Sequence, residues 1–177
     1  LNSDFGQVNI NGHFNYNTIA RSVLNMVAAK LPTIPGLTRQ PQKEVNDFTI
    51  NASISNTDWM KYLLGIPLEI YSPLNISGEL NDKHEKIDLW CDVPSFAYDG
   101  NRFSDAFVNI ESPNDTLKAD IRIKKLADKG KYMSLQLSAG ASDNHLNTSL
   151  SFGNNERHPL KGVINASTVF ARNIEGV

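Results

Sequence analysis

The chain has 177 residues, enough for one ordinary domain or for one slice of a longer repetitive protein. Hydrophobic residues make up 40% and charged residues 20%, so the composition excludes intrinsic disorder. A net charge of -2 supplies no basic field for nucleic acid or acidic headgroups, and the single cysteine, Cys91, excludes an internal disulfide framework.

The first residues, Leu1 to Asp4, lack the basic start and apolar run of a signal peptide. No run of about 18 apolar residues is present to span a bilayer. The chain does not open on Met and reads as a fragment of a longer protein, with any anchor in a segment outside it.

In chain order, Val8, Ile10, Gly12, Phe14 and Tyr16 alternate with Asn9, Asn11, His13 and Asn15, the period-two pattern of a half-buried strand. Asn17 or Thr18 offers a helix cap, and apolar residues then recur at helical spacing as far as Pro32. This helix, 18–31, is expected to cover a sheet through Val23, Leu24 and Val27. Residues 32–46 carry three prolines and no period, and read as a loop. Phe48, Ile50, Ala52 and Ile54 form the next strand. Asp58 caps a short helix containing Trp59 and Leu63, which ends at Gly65. That helix reads as a plug at the sheet's end or as a contact for a membrane or partner.

From there the pattern is strand and turn. Leu74, Ile76, Gly78 and Leu80 alternate up to NDKHEK, and Ile87, Leu89, Cys91 and Val93 follow it. Phe96 and Tyr98 lead into the hairpin signal Asp99-Gly100. Ala106, Val108 and Ile110 come next, then Leu117, Ala119, Ile121 and Ile123. Leu135, Leu137, Ala139 and Ala141 alternate up to the turn SDN. Leu146, Thr148, Leu150 and Phe152 follow, and a last strand runs from Leu160 through Ile164 to Phe170. Short turns between successive strands specify an antiparallel meander. The chain is one β-rich unit: strand and covering helix in 1–31, loop in 32–46, strand, short helix and meander in 47–177.

Each strand is apolar on one side only. Burying one such side chain is worth about 1.5–3 kcal/mol, so exposing the whole face would cancel a domain's stability of about 5–15 kcal/mol. A second sheet, curling of the sheet, the first helix or an apolar ligand must cover it. Gly78, Ala119, Ala139, Ala141, Gly162 and Ala166 on that face leave room for close packing or for a ligand chain.

Catalytic signals are weak. Cys91 alternates with Leu89 and Val93 and reads as a small core residue. His13, His84, His145 and His158 are scattered, without metal-ligand spacing, and no nucleophile or phosphate-binding motif appears. The mixed runs NDKHE and SDNH sit where turns want such residues. Five sequons, at Asn51, Asn75, Asn114, Asn147 and Asn165, are expected by-products of strands rich in Asn, Ser and Thr. The residues predict no enzyme, cofactor or metal.

Four stretches carry a family resemblance: DFGQVNINGHFNYNTIARSVLN, DFTINASISNTDWMKYLLGIPLEI, YDGNRFSDAFVNIESPNDTLKADIRIKKL and SDNHLNTSLSFGN. They resemble TamB-like envelope proteins of the AsmA-like superfamily, as found in Bacteroidetes. The resemblance implies an interior fragment of an inner-membrane-anchored, periplasm-spanning protein that supports outer-membrane biogenesis through phospholipid transport or protein assembly. It also implies a meander curled, taco-like, into a hydrophobic groove. The groove or lipid-contact candidates are Leu74, Ile76, Leu80, Ile87, Leu89, Val93, Leu117, Ile121, Ile123, Leu135, Leu137, Leu146, Leu150, Phe152, Ile164 and Phe170. Acyl chains are the expected occupants, and the outer-membrane assembly machinery would be met through other parts of the protein. Edge strands are expected to self-associate in a fragment. The alternative is a secreted β-sandwich binding module, an adhesin or a carbohydrate-binding domain, with an exposed aromatic platform.

Overall fold

The computed structural model describes residues 2–171, without the side chains of Asn2, Leu63 and Leu64. The covering role expected of Leu63 therefore lies outside the described side chains. The elements are β1 (Asn2–Ser3), β2 (Gly6–His13), α1 (Tyr16–Lys30), β3 (Asp47–Ile54), α2 (Asp58–Leu64), β4 (Leu68–Ile70), β5 (Leu74–Asn81), β6 (Lys86–Tyr98), β7 (Asn101–Glu111), β8 (Leu117–Leu126), β9 (Tyr132–Ser142), β10 (His145–Asn154) and β11 (Lys161–Val169).

Ten strands form one antiparallel meander in the order β1-β2-β3-β5-β6-β7-β8-β9-β10-β11, and β4 pairs with the far half of β6. The turns are those the residues favour. Asp99 and Gly100 have φ of 47° and 72°, and Asp143 and Asn144 have 47° and 61°, the left-handed pair of a tight hairpin. Pro94 falls within β6, which runs on through Phe96 to Asp99-Gly100 without a break. Beside it β7 bulges between Ser104 and Phe107, with Asp105 at φ 52°.

The sheet is neither closed nor strongly curled, and no second sheet packs on it among the described residues. The expected trough is therefore not formed by these strands, and a β-sandwich is not what they build. Hairpins with short turns give a sheet its neighbours and register, but bending needs repeated bulges or kinks, and among the described residues only the β7–β8 pair shows a register shift.

Helix α1 lies on the apolar face at one end. Met26 packs against Leu80 and Ile87, with Val23, Phe48, Leu89, Ile110 and Leu117 around them. The helix begins two residues before the expected start because Asn15 is the cap: its Oδ1 accepts the Asn17 N–H at 2.9 Å. Leu24, expected to cover the sheet, points to solvent at 52% exposed. The Met26 turn holds the sheet, and Leu24 is rotated off that stripe.

The loop 32–46 ends in a polar hub. Asn46 is fully buried; its Oδ1 accepts the Asn15 N–H at 2.8 Å, and its amide donates to Ser22 Oγ at 2.8 Å and Thr18 Oγ1 at 3.1 Å. The Asp82 carboxylate closes the network, accepting from Ser22 Oγ at 2.9 Å and from the Asn46 N–H at 2.6 Å. At the other end of α1 the β9–β10 turn docks: Asn144 N–H donates to the Lys30 carbonyl, and Asn144 Oδ1 accepts from Thr33. The buried Lys30 ammonium pairs with Asp115.

Candidate functional site

The candidate site is the part of the apolar face that α1 leaves uncovered. Cross-strand partners share a face of a sheet. The register therefore places Val8, Ala52, Ile76, Cys91, Val108, Ile121, Leu137, Leu150 and Ile164 in one unbroken row across nine strands. At about 4.8 Å per strand the row is roughly 38 Å long. A parallel row runs through Ile10, Ile50, Gly78, Leu89, Ile110, Ala119, Ala139, Thr148 and Ala166.

Every strand contributes because apolar residues alternate without slippage, and one slip would have sent a strand's apolar set to the other face. Leu89, Ile121, Leu137 and Leu150 thus belong to one continuous surface. Leu74 stands opposite Ile54, Val93 opposite Ala106, Ile123 and Phe152 opposite Leu135, and Leu146 opposite Ala141. Leu80 and Ile87 are buried beneath α1 and form the helix's seat, with Leu117 packed beside them. Phe170 follows β11, and its N–H donates to the Asn144 carbonyl.

Away from α1 this face, apart from the buried Ala52, is half-buried to exposed. Ile76, Cys91, Val108, Ile121, Leu137 and Leu150 are half-buried, Leu135 is 41% exposed and Ile164 57%. Trp59 of α2 meets the Phe5 ring with centroids 5.7 Å apart, so α2 packs at the N-terminal strands and not over the middle of the row. Two glycines on this face are committed to packing. A Cβ at Gly162 would fall 2.3 Å from the Phe152 ring, and one at Gly78 would fall 2.3 Å from the Asp88 carbonyl. Burial pushes the Cys91 thiol up from its ordinary value, with Asp92 adding to the shift, so this mid-row residue is a thiol and not a nucleophilic thiolate at neutral pH.

The polar face is occupied by paired charges. Glu79 pairs with Lys86, Glu111 with Lys118, and Asp105 with Lys124 at 2.7 Å. The Lys86 and Lys124 ammonium groups titrate above the ordinary lysine value, each chiefly because it hydrogen-bonds its carboxylate. The alternation pattern did not single out Trp90 and Phe107, which stand on this face with rings 6.3 Å apart and edge-on, Arg122 lying 4.3 Å over Phe107. Their parity against Leu89 and Val108 is the signal that marks them. Asp143 and His145 are both exposed at a turn and enclose no cleft. Among the described residues no group of three or more metal-ligating side chains is assembled, and no helix is long and apolar enough to cross a membrane.

No family model, no curated protein and no solved structure matches this chain.

Proposed function

We propose that this chain is a non-enzymatic segment of a TamB-like envelope protein, and that its uncovered apolar rows support outer-membrane biogenesis by carrying acyl chains. The observation that carries the reading is the row from Val8 to Ile164, continuous over nine strands, with α1 seated beside it on Phe48, Leu80 and Ile87. Such a surface solvates a hydrocarbon chain by non-directional contact, worth about 0.8 kcal/mol per buried CH₂, and needs no polar constellation. The edges, at β1 and the rest of β2 on one side and at β11 on the other, allow neighbouring strands to extend the same lining. Bending of such an extended sheet into the groove implied by the resemblance would enclose the chains, and the described strands supply one wall of it. The periplasm is the compartment that goes with this reading.

Native mass spectrometry of the gently purified protein tests it. Co-purified phospholipid, lost when Ile121 and Leu137 are both replaced by Glu, is the expected result. A lipid-free protein that also fails to retain added phospholipid contradicts it.

A further inference from the structure

We infer that the polar face of β2, β3, β5 and β6 is a binding site for an uncharged oligosaccharide, with Trp90 as its stacking platform. The inference rests on features of the opposite face and does not depend on what occupies the apolar rows.

Register sets Asn9, Asn51, Ser77 and Trp90 in one line across four strands, with Gln7, Ser53 and Asn75 in the next line. Together they line a depression of about 610 Å³. Its floor is backbone at Val8, Ala52 and Ile76, whose side chains point to the other face. No ionisable side chain lines it.

Asp88 and Asp92 flank Trp90 on its own strand. Farther along this face, on β7 to β9, charged residues are engaged by neighbours: Asp105 holds Lys124, Asp120 accepts from Ser138, and Arg122 lies on Phe107. Around Trp90 the reverse holds. The side-chain amides of Gln7, Asn9 and Asn51 and the hydroxyls of Ser53 and Ser77 make no hydrogen bond within the described residues. Each amide offers donors and an acceptor together, which matches a hydroxyl that must both give and accept.

Trp90 is 37% exposed, and Phe107 meets its ring edge-on. The indole is thereby held in place by an aromatic neighbour across the strands. A pyranose presents an apolar C–H face to such a ring and hydroxyls at its rim. From Trp90 to Asn9 is three strand spacings, about 14 Å, so an extended chain of a few sugar rings would lie across the strands with a polar residue at each step. An anionic ligand finds no counter-charge in the lining and meets Asp88 and Asp92 on either side of Trp90, and the lining itself consists of uncharged amides, hydroxyls and one indole, which sets the class as neutral.

Isothermal titration with uncharged hexasaccharides (maltohexaose, cellohexaose, laminarihexaose and mannohexaose), with tryptophan emission followed in parallel, tests the site. Saturable binding of at least one of them is expected, with a change in emission. Trp90→Ala should weaken it at least tenfold, and so should Asn51→Leu, which leaves the aromatic pair intact. Ile121→Glu on the apolar face should leave it unchanged. Absence of saturable binding to all four sugars overturns the inference. So does binding that survives both Trp90→Ala and Asn51→Leu in variants whose circular dichroism matches the parent.

Discussion

The two sides of the apolar face are finished differently. Beneath α1, the row through Phe48, Leu80, Ile87 and Leu117 is closed by Met26 and Val23, and a network centred on Asn46 ties the helix to the strand ends. Four strand residues away, the row through Cys91, Ile121, Leu137 and Leu150 is apolar in the same register, but among the described residues no element is docked above it. One amphipathic pattern thus yields a core where a helix is docked and an open surface where none is. Stability is concentrated at the first, and the second is free for function.

Substitutions at the covered row should be the most damaging. Met26→Ala removes the side chain that joins helix to sheet and is expected to cost about 2–5 kcal/mol in urea unfolding. A loss below about 1 kcal/mol would mean that α1 is not the seat of the core. Asn46→Ala leaves the Asn15 N–H and the Ser22 hydroxyl without their buried partner and should cost about 2–3 kcal/mol. On the open row, Ile164→Ala should change stability by no more than roughly 0.5 kcal/mol, because the side chain is already in water. An equal cost at Met26 and Ile164 would erase the contrast.

The smallest effect concerns the polar face. Lys86 and Lys124 titrate above the ordinary 10.5, so each contributes stability below that pH and loses it as pH rises through the folded-state value. Both pairs are exposed, so thermal midpoints should stay flat between about pH 7 and about pH 9 and fall slightly above about pH 10.5. The joint variant Glu79→Gln, Asp105→Asn should lose that alkaline component.

Much of this arrangement was legible before folding. Period-two alternation gives the strands, Asp99-Gly100 and Asp143-Asn144 give the hairpins, and parity alone assigns Leu89, Ile121, Leu137 and Leu150 to one face. Curvature was not legible, because alternation specifies which face a residue takes and says nothing about how the sheet bends. Local pattern does not mark Asn15 as the cap, because its backbone N–H is held by Asn46, 31 residues away. Strand β4 is only three residues long and takes its identity from pairing with Phe96 to Tyr98. The room implied by Gly162 is filled by Phe152, a contact that only register reveals. Apolar stripes do not mark Trp90, because it is a large ring on the wet side of its strand.

The open row is tested most directly by photocrosslinking with a phospholipid that carries a diazirine in its acyl chain, followed by peptide mapping. Adducts are expected at Cys91, Ile121, Leu137 and Leu150, with Ser138, Ser149 and Asn165 unlabelled. Labelling spread over both faces, or confined to the polar one, would contradict the account.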